Sequence, residues 1–238
     1  MILCLDCGNT RIKWGLREGD TWKARGAFAT TATTEAEGLA RVLPRTPLIR
    51  ILGCNVAGAE VAQALANVLP LPIEWNLPRT EQCGVSNAYE QPGQLGADRW
   101  AALIGAWHLQ GAACLVVSAG TATTIDVLDS SGIFQGGLIL PGLDLMRQAL
   151  ARNTAQLPSQ SGQYRETPRN TLDAISSGAI HATLGAISRM YAQVADRPGA
   201  ACLLTGGAAE ALAPHLTLPL RRVEDLVLEG LARITAPS

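Results

Sequence analysis

The residues of this sequence best suited to chemistry lie in a polar turn directly after the first apolar run. The turn is Asp6-Cys7-Gly8-Asn9-Thr10, and it joins Ile2–Leu5 to the alternating run Arg11-Ile12-Lys13-Trp14. A carboxylate beside exposed backbone N–H groups in one concave loop suits phosphate and a hydrated magnesium ion. Lys13 lies two strand positions beyond Arg11, on the same face, and adds a cation. Taken alone, the segment is explained at least as well by an ordinary hairpin turn.

A second glycine turn follows another apolar run, at residues 113–117. It reads Ser118-Ala119-Gly120-Thr121-Ala122-Thr123-Thr124-Ile125-Asp126, with Gly120 and Thr121 placed to meet the same phosphates. Residues 115–121 echo residues 3–9, which indicates a short internal repeat at the head of each half. Ser118 does not fit the nucleophile elbow G-x-S-x-G, because Val116 stands where that motif requires glycine.

Asp98 and Arg99 follow Gly96-Ala97 in the first turn of a predicted helix over 97–109. The helix dipole alone explains an Asp at such a position. It does not explain the adjacent Arg. Together the two side chains can supply a general base for a substrate hydroxyl and a clamp for an anion.

Other motifs are weaker or absent. Gly136-Gly137, Pro141-Gly142 and Thr205-Gly206-Gly207 would let an adenine ring slide against the backbone, although ordinary turns explain them equally well. The sequence has neither the P-loop nor the G-x-G-x-x-G motif. Cys4 and Cys7 should point to opposite faces of a strand and therefore be core residues. His108, His181 and His215 show no metal-ligand spacing and are interpreted as structural.

The elements that must position these residues alternate between strands and helices, which predicts an α/β protein. Strands are predicted near residues 2–5, 11–14, 49–54, 113–117, 123–128, 133–140 and 202–204. Helices are predicted over 34–43, 59–68, 97–109, 143–151, 171–194, capped by Thr171, and 224–234. Polar loops are predicted over 78–94 and 153–169. We place a domain boundary near residue 110, between domains 1–110 and 111–238.

The composition narrows the classes of partner. The chain has 238 residues, 47% of them hydrophobic, and a formal net charge of -1. This balance argues against nucleic acid or an anionic membrane as a partner and favours small molecules. The apolar start is too short for a signal peptide, and no membrane-spanning segment is expected. With six cysteines mostly inside apolar runs, a cytoplasmic protein without a disulfide framework is expected.

In order and spacing, the motifs resemble those of type III pantothenate kinases over nearly the whole chain. The matching residues are Asp6 to Thr10 with Lys13, Tyr89-x-x-Pro92-x-x-Leu95-Gly96-Ala97-Asp98-Arg99, Gly120-Thr121-Ala122-x-Thr124-x-Asp126, Gly136-Gly137, Pro141-Gly142, Thr171 with Ala174-Ile175 and Gly178, and Thr205-Gly206-Gly207. The resemblance implies two ribonuclease-H-like domains of the actin-like ATPase fold with a cleft between them. It also implies ATP-dependent phosphorylation of pantothenate to 4'-phosphopantothenate, the first step of coenzyme A biosynthesis.

The resemblance also implies roles for individual residues. The ATP-binding residues are Asp6, Cys7, Gly8, Asn9, Thr10, Arg11, Ile12, Lys13 and Thr121, with Asp6 holding Mg²⁺ through water. The pantothenate-binding residues are Tyr89, Gly96, Ala97, Asp98, Arg99 and Thr171, with Asp98 as the proton acceptor. A homodimer is implied as well, in which the Thr171 helix packs near the partner's active site.

One position departs from the family pattern. Many members carry Asp where this sequence has Ser118, and that Asp helps to hold a monovalent cation, K⁺ or NH₄⁺. A neutral serine is a weaker cation ligand than a carboxylate, although Asp126 can contribute to the site. Two alternatives stay open from the sequence: a kinase of the same fold with another small-molecule acceptor, and a catalytically reduced regulatory protein of the same fold.

Overall fold

The computed structural model describes residues 1–31, 39, 43, 48–154, 157–158 and 160–234. The helix predicted over residues 34–43 lies outside these residues, apart from Leu39 and Leu43. Packing contacts divide the chain into two units. Unit 1 contains Met1–Leu109 together with Leu226–Ser238, and unit 2 contains Gln110–Asp225.

The sheet of unit 1 begins with the predicted hairpin. Its strands are β1 (Ile2–Cys7), β2 (Arg11–Glu18), β3 (Thr21–Ala29), β4 (Arg50–Asn55) and β5 (Ile73–Trp75), in the order β3-β2-β1-β4-β5. β2 is antiparallel to β1 and β3, whereas β4 is parallel to β1 and β5. The carboxyl ends of β1, β4 and β5 therefore meet at one edge of this sheet.

Alternating side chains of β1 supply two hydrophobic clusters, one on each face of the sheet. Leu3, Leu5 and Cys7 pack in one cluster, with helix α1 (Ala59–Val68). Cys4 packs in the other, with helix α2 (Ala97–Gln110). Cys4 and Cys7 are thus free, buried core residues on opposite faces, as predicted.

The last helix, α6 (Leu226–Ile234), packs in unit 1, although the sequence placed it in the second domain. Leu228 and Leu231 join the cluster that contains Cys4. A Cβ atom on Gly230 would overlap the carbonyl of Ala101, so glycine lets the α6 backbone rest directly on α2. Glycine and apolar packing therefore return the end of the chain to the first unit.

The segment predicted as a loop over 78–94 contains short regular elements. β6 (Glu81–Gln82) and β7 (Val85–Asn87) form an antiparallel hairpin, and Pro92–Gln94 form a 3-10 helix. Strands of two or three residues are too short for a period-2 pattern to reveal, which explains the difference.

Unit 2 repeats the topology of unit 1. Its strands are β8 (Cys114–Ala119), β9 (Ala122–Leu128), β10 (Ile133–Pro141), β11 (Ala201–Thr205) and β12 (Leu220–Arg222). They follow one another as β10-β9-β8-β11-β12. β9 is antiparallel to β8 and β10, whereas β11 is parallel to β8 and β12. This matches β3-β2-β1-β4-β5 strand for strand, which confirms the internal repeat.

The helices of unit 2 are α3 (Leu143–Asn153), α4 (Thr171–Tyr191) and α5 (Ala209–Leu212). A cluster that includes Val117, Ile125, Ile187 and Leu204 forms the core. The prediction that Thr171 caps α4 is wrong: Asn170 is the N-cap, because its Oδ1 accepts the N–H of Asp173 at 2.9 Å. Thr171 is the first residue of the helix.

Candidate active site

The first glycine turn is closed by its own backbone and supported by β3. The N–H of Gly8 donates to the carbonyl of Arg11 at 3.1 Å, and the hydroxyl of Thr30 donates to the carbonyl of Gly8 at 2.6 Å. Asn9 and Thr10 are exposed at the tip. The side chains of Cys7 and Ile12, two predicted ATP-binding residues, are buried in the core. Only the backbone atoms of these two residues can therefore contact a ligand.

Asp6, near the end of β1, has a side-chain neighbour on each of the two adjacent strands. Lys13 is its direct partner across the β1–β2 pair, so the carboxylate and the ammonium lie on one face of the sheet. On the other side, the thiol of Cys54 donates to Asp6 Oδ1 at 3.6 Å. Burial, followed by the charges of Asp6 and Asp98, raises the pKa of the Cys54 thiol well above its ordinary value. Asp6 therefore contacts this buried thiol directly, and the start of α2, which carries Asp98, packs in the same cluster through Ala97.

Gly96 makes room for the carboxylate of Asp98 at the start of α2. A Cβ atom at position 96 would lie 2.6 Å from Asp98 Oδ1, closer than side chains tolerate. The same oxygen accepts the N–H of Arg99 at 2.8 Å. The carboxylate is half-buried beside the positive end of the helix, where a negative charge is favoured.

The side chains of Arg99 and Tyr89 contact each other. The Arg99 side chain is almost buried, its Nη1 donates to Tyr89 Oη at 2.9 Å, and the guanidinium carbon lies 5.6 Å from the centre of the tyrosine ring. Asn87 Oδ1 accepts the N–H of Tyr89 at 3.1 Å. The structure thus brings the block from Tyr89 to Arg99 together inside unit 1.

Glycine-rich segments converge on the second turn, in unit 2. The N–H of Gly142 donates to the carbonyl of Thr121 at 2.9 Å, and a Cβ atom on Gly142 would overlap the carbonyl of Gly120. Gly206 has φ +99 and packs against the backbone of Ala119. Two of the three predicted glycine clusters, Pro141-Gly142 and Thr205-Gly206-Gly207, therefore line this turn. Because glycine has no side chain, the surface of the turn beside them is formed by backbone atoms.

Ser118 and Asp126 lie on the same face of the unit 2 sheet. Ser118 pairs with Thr124, and Asp126 with Val116, so the two side chains are diagonal neighbours on adjacent strands. Asp126 is only 1% exposed. A carboxylate held this deeply is the stronger candidate for a cation ligand of the two.

Thr171 belongs to unit 2, whereas the other predicted pantothenate residues belong to unit 1. It borders a cavity of about 540 Å³ at the start of α4, which lies within the usual size range of small-molecule pockets. The lining residues are Leu150, Leu157, Pro168, Arg169, Asn170, Thr171, Ala174 and Ile175.

Some polar contacts were not foreseen. Tyr164 stacks beside His181 and His215, with ring centres 5.3 and 3.9 Å away. Gln82 joins Trp100 of α2 to Asn76. No periodic signal could have revealed either set, because Tyr164, Gln82 and Asn76 belong to loops or very short strands.

Two kinds of feature are absent from the part of the chain that the structure describes. Within residues 1–31, 48–154 and 160–234, no group of three or more histidine, cysteine or acidic side chains could hold a metal ion. In the same part of the chain, no helix has the length and apolarity needed to cross a membrane.

Comparison with known proteins identifies a sequence family. The profile of the type III pantothenate kinases matches residues 2–193. A type III pantothenate kinase of Aromatoleum aromaticum is 55% identical over 237 residues, covering 98% of this chain and 96% of the relative. Another, from Dechloromonas aromatica, is 46% identical and covers 100% of both chains.

Solved structures share the fold at low identity. A Campylobacter jejuni protein assigned to the Baf family of transcriptional activators is 22% identical, with a TM-score of 0.66 over 98% of this chain and 96% of its own. A Sinorhizobium meliloti protein assigned as a 2-dehydro-3-deoxygalactonokinase is 17% identical, with a TM-score of 0.62 over 98% of each chain. The activator of 2-hydroxyisocaproyl-CoA dehydratase from Clostridium difficile, solved with bound ADPNP, is 13% identical, with a TM-score of 0.54 over 98% and 92%. These likenesses confirm the actin-like ATPase fold.

Proposed function

The chain belongs to the type III pantothenate kinase family, and we propose that Asp98 is the general base of its reaction. That reaction is the ATP-dependent phosphorylation of pantothenate, the first step of coenzyme A biosynthesis. The regulatory alternative is not favoured, because curated relatives named as kinases match the chain from end to end.

The observation that carries this assignment is the packing of the start of α2 on the strand that supports Asp6. Ala97, the residue before Asp98, shares a cluster with Cys54, whose thiol donates to Asp6 at the edge where β1 and β4 end. A base must lie within hydrogen-bond reach of the proton that it accepts, and phosphoryl transfer requires mainly positioning and charge stabilisation. Asp98 accepts the proton of the pantothenate hydroxyl as that oxygen attacks the γ-phosphorus.

The neighbouring residues bind and orient the substrates. Arg99, held by Tyr89, supplies a fixed cation for the pantothenate carboxylate. The turn from Asp6 to Lys13 in unit 1, and Thr121 in unit 2, contact the ATP phosphates. Their backbone N–H groups and the ammonium of Lys13 offset negative charge on the transferred group.

A divalent metal accompanies ATP in this family, and we propose Mg²⁺ held through water by Asp6. Mg²⁺ is commonly bound by one or two carboxylates together with waters and substrate phosphates, so a single carboxylate fits it. The metal would neutralise charge between the β- and γ-phosphates. A K⁺ or NH₄⁺ ion is also proposed near Ser118, with the buried Asp126 carboxylate as its main support.

We propose a homodimer in which the α4 helix of one subunit lies near the pantothenate site of its partner. The cavity beside Thr171 supports this arrangement. So does the exposed apolar side chain of Leu150, which lines this cavity, because exposed apolar surface at a pocket often marks an interaction site. Sedimentation at micromolar concentration tests it, and a sedimenting monomer would contradict it.

We also propose a cytoplasmic location. All six cysteines are free, and only Cys83 is exposed. Free buried thiols are typical of a reducing compartment.

The test of function is ADP release from ATP and Mg²⁺, with and without pantothenate, in potassium and in sodium buffers. Pantothenate-dependent release is expected. ADP release with another acceptor, and none with pantothenate, would show that the protein is a kinase with a different substrate. Equal release in sodium and potassium buffers would show that the enzyme needs no specific monovalent cation. No release with any acceptor would contradict the assignment.

A further inference from the structure

Asn76 follows β5 at the same edge of the unit 1 sheet as Asp6. Gly53 pairs with Trp75, and Cys54 pairs with Asp6, so Asn76, Cys54 and Asp6 lie at one level across neighbouring parallel strands. The N–H of Asn76 continues this pattern by donating to the carbonyl of Gly53 at 2.7 Å. Since adjacent strands are about 4.8 Å apart, the Asn76 and Asp6 backbones are separated by about 10 Å.

The Asn76 side chain lies on the face of the sheet that α2 covers. Ile73 and Trp75 pack in the cluster on the opposite face, and successive side chains alternate. Gln82 Nε2 donates to Asn76 Oδ1 at 3.2 Å, and Trp100 of α2 donates its indole N–H to Gln82 Oε1 at 2.8 Å. Asn76 is therefore joined to a residue only two positions beyond Asp98.

The relay of hydrogen bonds from Trp100 to Gln82 and from Gln82 to Asn76 determines which atom of the Asn76 amide remains without a partner. An indole N–H can only donate, so Gln82 must accept with Oε1 and donate with Nε2. Asn76 then accepts with Oδ1, and its Nδ2 points elsewhere as a donor. Asn76 is 6% exposed, and Nδ2 has no hydrogen-bond partner among the described residues. A buried donor in this state usually binds an ordered water molecule, an ion or a ligand.

We propose that Asn76 is a further substrate-binding residue, whose Nδ2 donates to an uncharged oxygen of the phosphoryl acceptor. The assignment rests on the proposed function, because pantothenate supplies such oxygens in its hydroxyl groups and its amide carbonyl. Arg99 is the nearly buried cation of the same site, and it is the better partner for the carboxylate. Asn76 also makes the site selective, since a buried donor disfavours acceptors that lack the matching oxygen.

The test compares Asn76→Asp and Asn76→Ala with the wild-type enzyme in steady-state kinetics. Asn76→Asp keeps the shape and the acceptor for Gln82 but replaces the donor, and it should raise the KM for pantothenate about tenfold or more. The KM for ATP should stay within about twofold, because the Asn76 backbone lies two strands, about 10 Å, from that of Asp6. Asn67→Asp, the same change on the exposed face of α1, is the matched control and should alter neither constant.

A neutral pantothenamide distinguishes the two kinds of substrate oxygen. If Asn76 binds an uncharged oxygen, the neutral Asn76→Ala variant, which adds no charge of its own, weakens pantothenate and pantothenamide equally. A penalty confined to pantothenate would instead assign Nδ2 to the carboxylate and overturn the proposal as stated.

A crystal structure of the wild-type enzyme with pantothenate tests the contact even if the variants do not fold. Nδ2 should lie within about 3.2 Å of a ligand oxygen. A water molecule on Nδ2 both with and without pantothenate, or an unchanged KM in active variants, would overturn the proposal. Failure of the wild-type enzyme to use pantothenate would instead contradict the proposed function.

Discussion

The Cys54 thiol donates to Asp6 Oδ1 across 3.6 Å, from a neighbouring parallel strand. Because burial and two carboxylates raise the pKa of this thiol well above its ordinary value, it remains a protonated donor at neutral pH. Cys54 therefore holds the carboxylate that is proposed to bind the metal.

Cys54→Ala removes this donor and should raise the KM for Mg-ATP about threefold to tenfold, the effect of one net hydrogen bond. The small cavity should also lower the free energy of unfolding by roughly 1 kcal/mol. Cys202→Ala is the control, because Cys202 is equally buried but lies in unit 2. It should lose similar stability and leave the KM for Mg-ATP unchanged. An equal KM in both variants would contradict the role of Cys54.

Asp98→Asn should lower kcat by about 10² to 10⁴, the usual effect of losing a general base. Asparagine still offers an oxygen to the N–H of Arg99, so thermal unfolding should be nearly unchanged. Asp196→Asn, on an exposed turn of unit 2, should retain full activity. Full activity of Asp98→Asn would refute its assignment as the base.

Tyr89→Phe deletes the hydroxyl that accepts from Arg99 but keeps the ring beside the guanidinium. The KM for pantothenate should rise about fivefold to tenfold, because the cation loses its fixed orientation. Tyr191→Phe is the control: its hydroxyl donates to the carbonyl of Ala200 in unit 2, and its loss should affect stability alone. A rise in the KM for ATP without a rise in the KM for pantothenate would show that Arg99 acts on the nucleotide and not on pantothenate.

Gly142→Ala should displace the second turn, because the new methyl group would overlap the carbonyl of Gly120. We expect the KM for ATP to rise at least tenfold, with a loss of stability of about 1–3 kcal/mol from overpacking. Gly185→Ala meets no atom within 4 Å inside α4 and should stabilise the protein by up to about 1 kcal/mol. A normal KM for ATP in Gly142→Ala would show that this turn does not bind the nucleotide.

Burial raises the pKa of the Cys4, Cys7, Cys114 and Cys202 thiols to about 12, from 9.0. Raised thiol pKa values stabilise the fold fully below pH 9, and this stabilisation is lost as the pH rises towards 12. Chemical denaturation at several pH values should therefore show stability falling above pH 9. At pH 8 a thiol reagent should modify only the exposed Cys83 of the native protein. Rapid modification of Cys83→Ser would show that a buried thiol is reactive.

Strong local patterns in the sequence predicted the hairpins and helices that carry the site. β1 and β8 are short apolar runs that end in glycine turns, and α2 begins directly after Gly96. β3 was missed because most of its residues are exposed or half-buried, which weakens the apolar signal. The prediction of Thr171 as the cap is wrong by one position, because Asn and Thr both suit an N-cap and only the hydrogen bond from the N–H of Asp173 identifies Asn170.

Contacts between distant parts of the chain could not be predicted in this way. Glu229 accepts from Trp22 and Arg25, more than 200 residues away in sequence. Gly142 and Gly206 meet the second turn through tertiary packing, whereas their local sequences suit any turn. The unpaired end of Asn76 becomes apparent only through the relay from Trp100 and Gln82.

The return of α6 to unit 1 has a consequence for protein synthesis. Residues 110–225 form a continuous unit, whereas unit 1 needs residues from both ends of the chain. On the ribosome, the half translated first is therefore the half completed last, and until α6 emerges Cys4 and Leu52 lack the part of their apolar cover that Leu228 and Leu231 supply. A nascent chain stalled before residue 226 would contain an incompletely packed unit 1. Unit 1 can therefore complete its fold only in a chain that has been translated through its last helix.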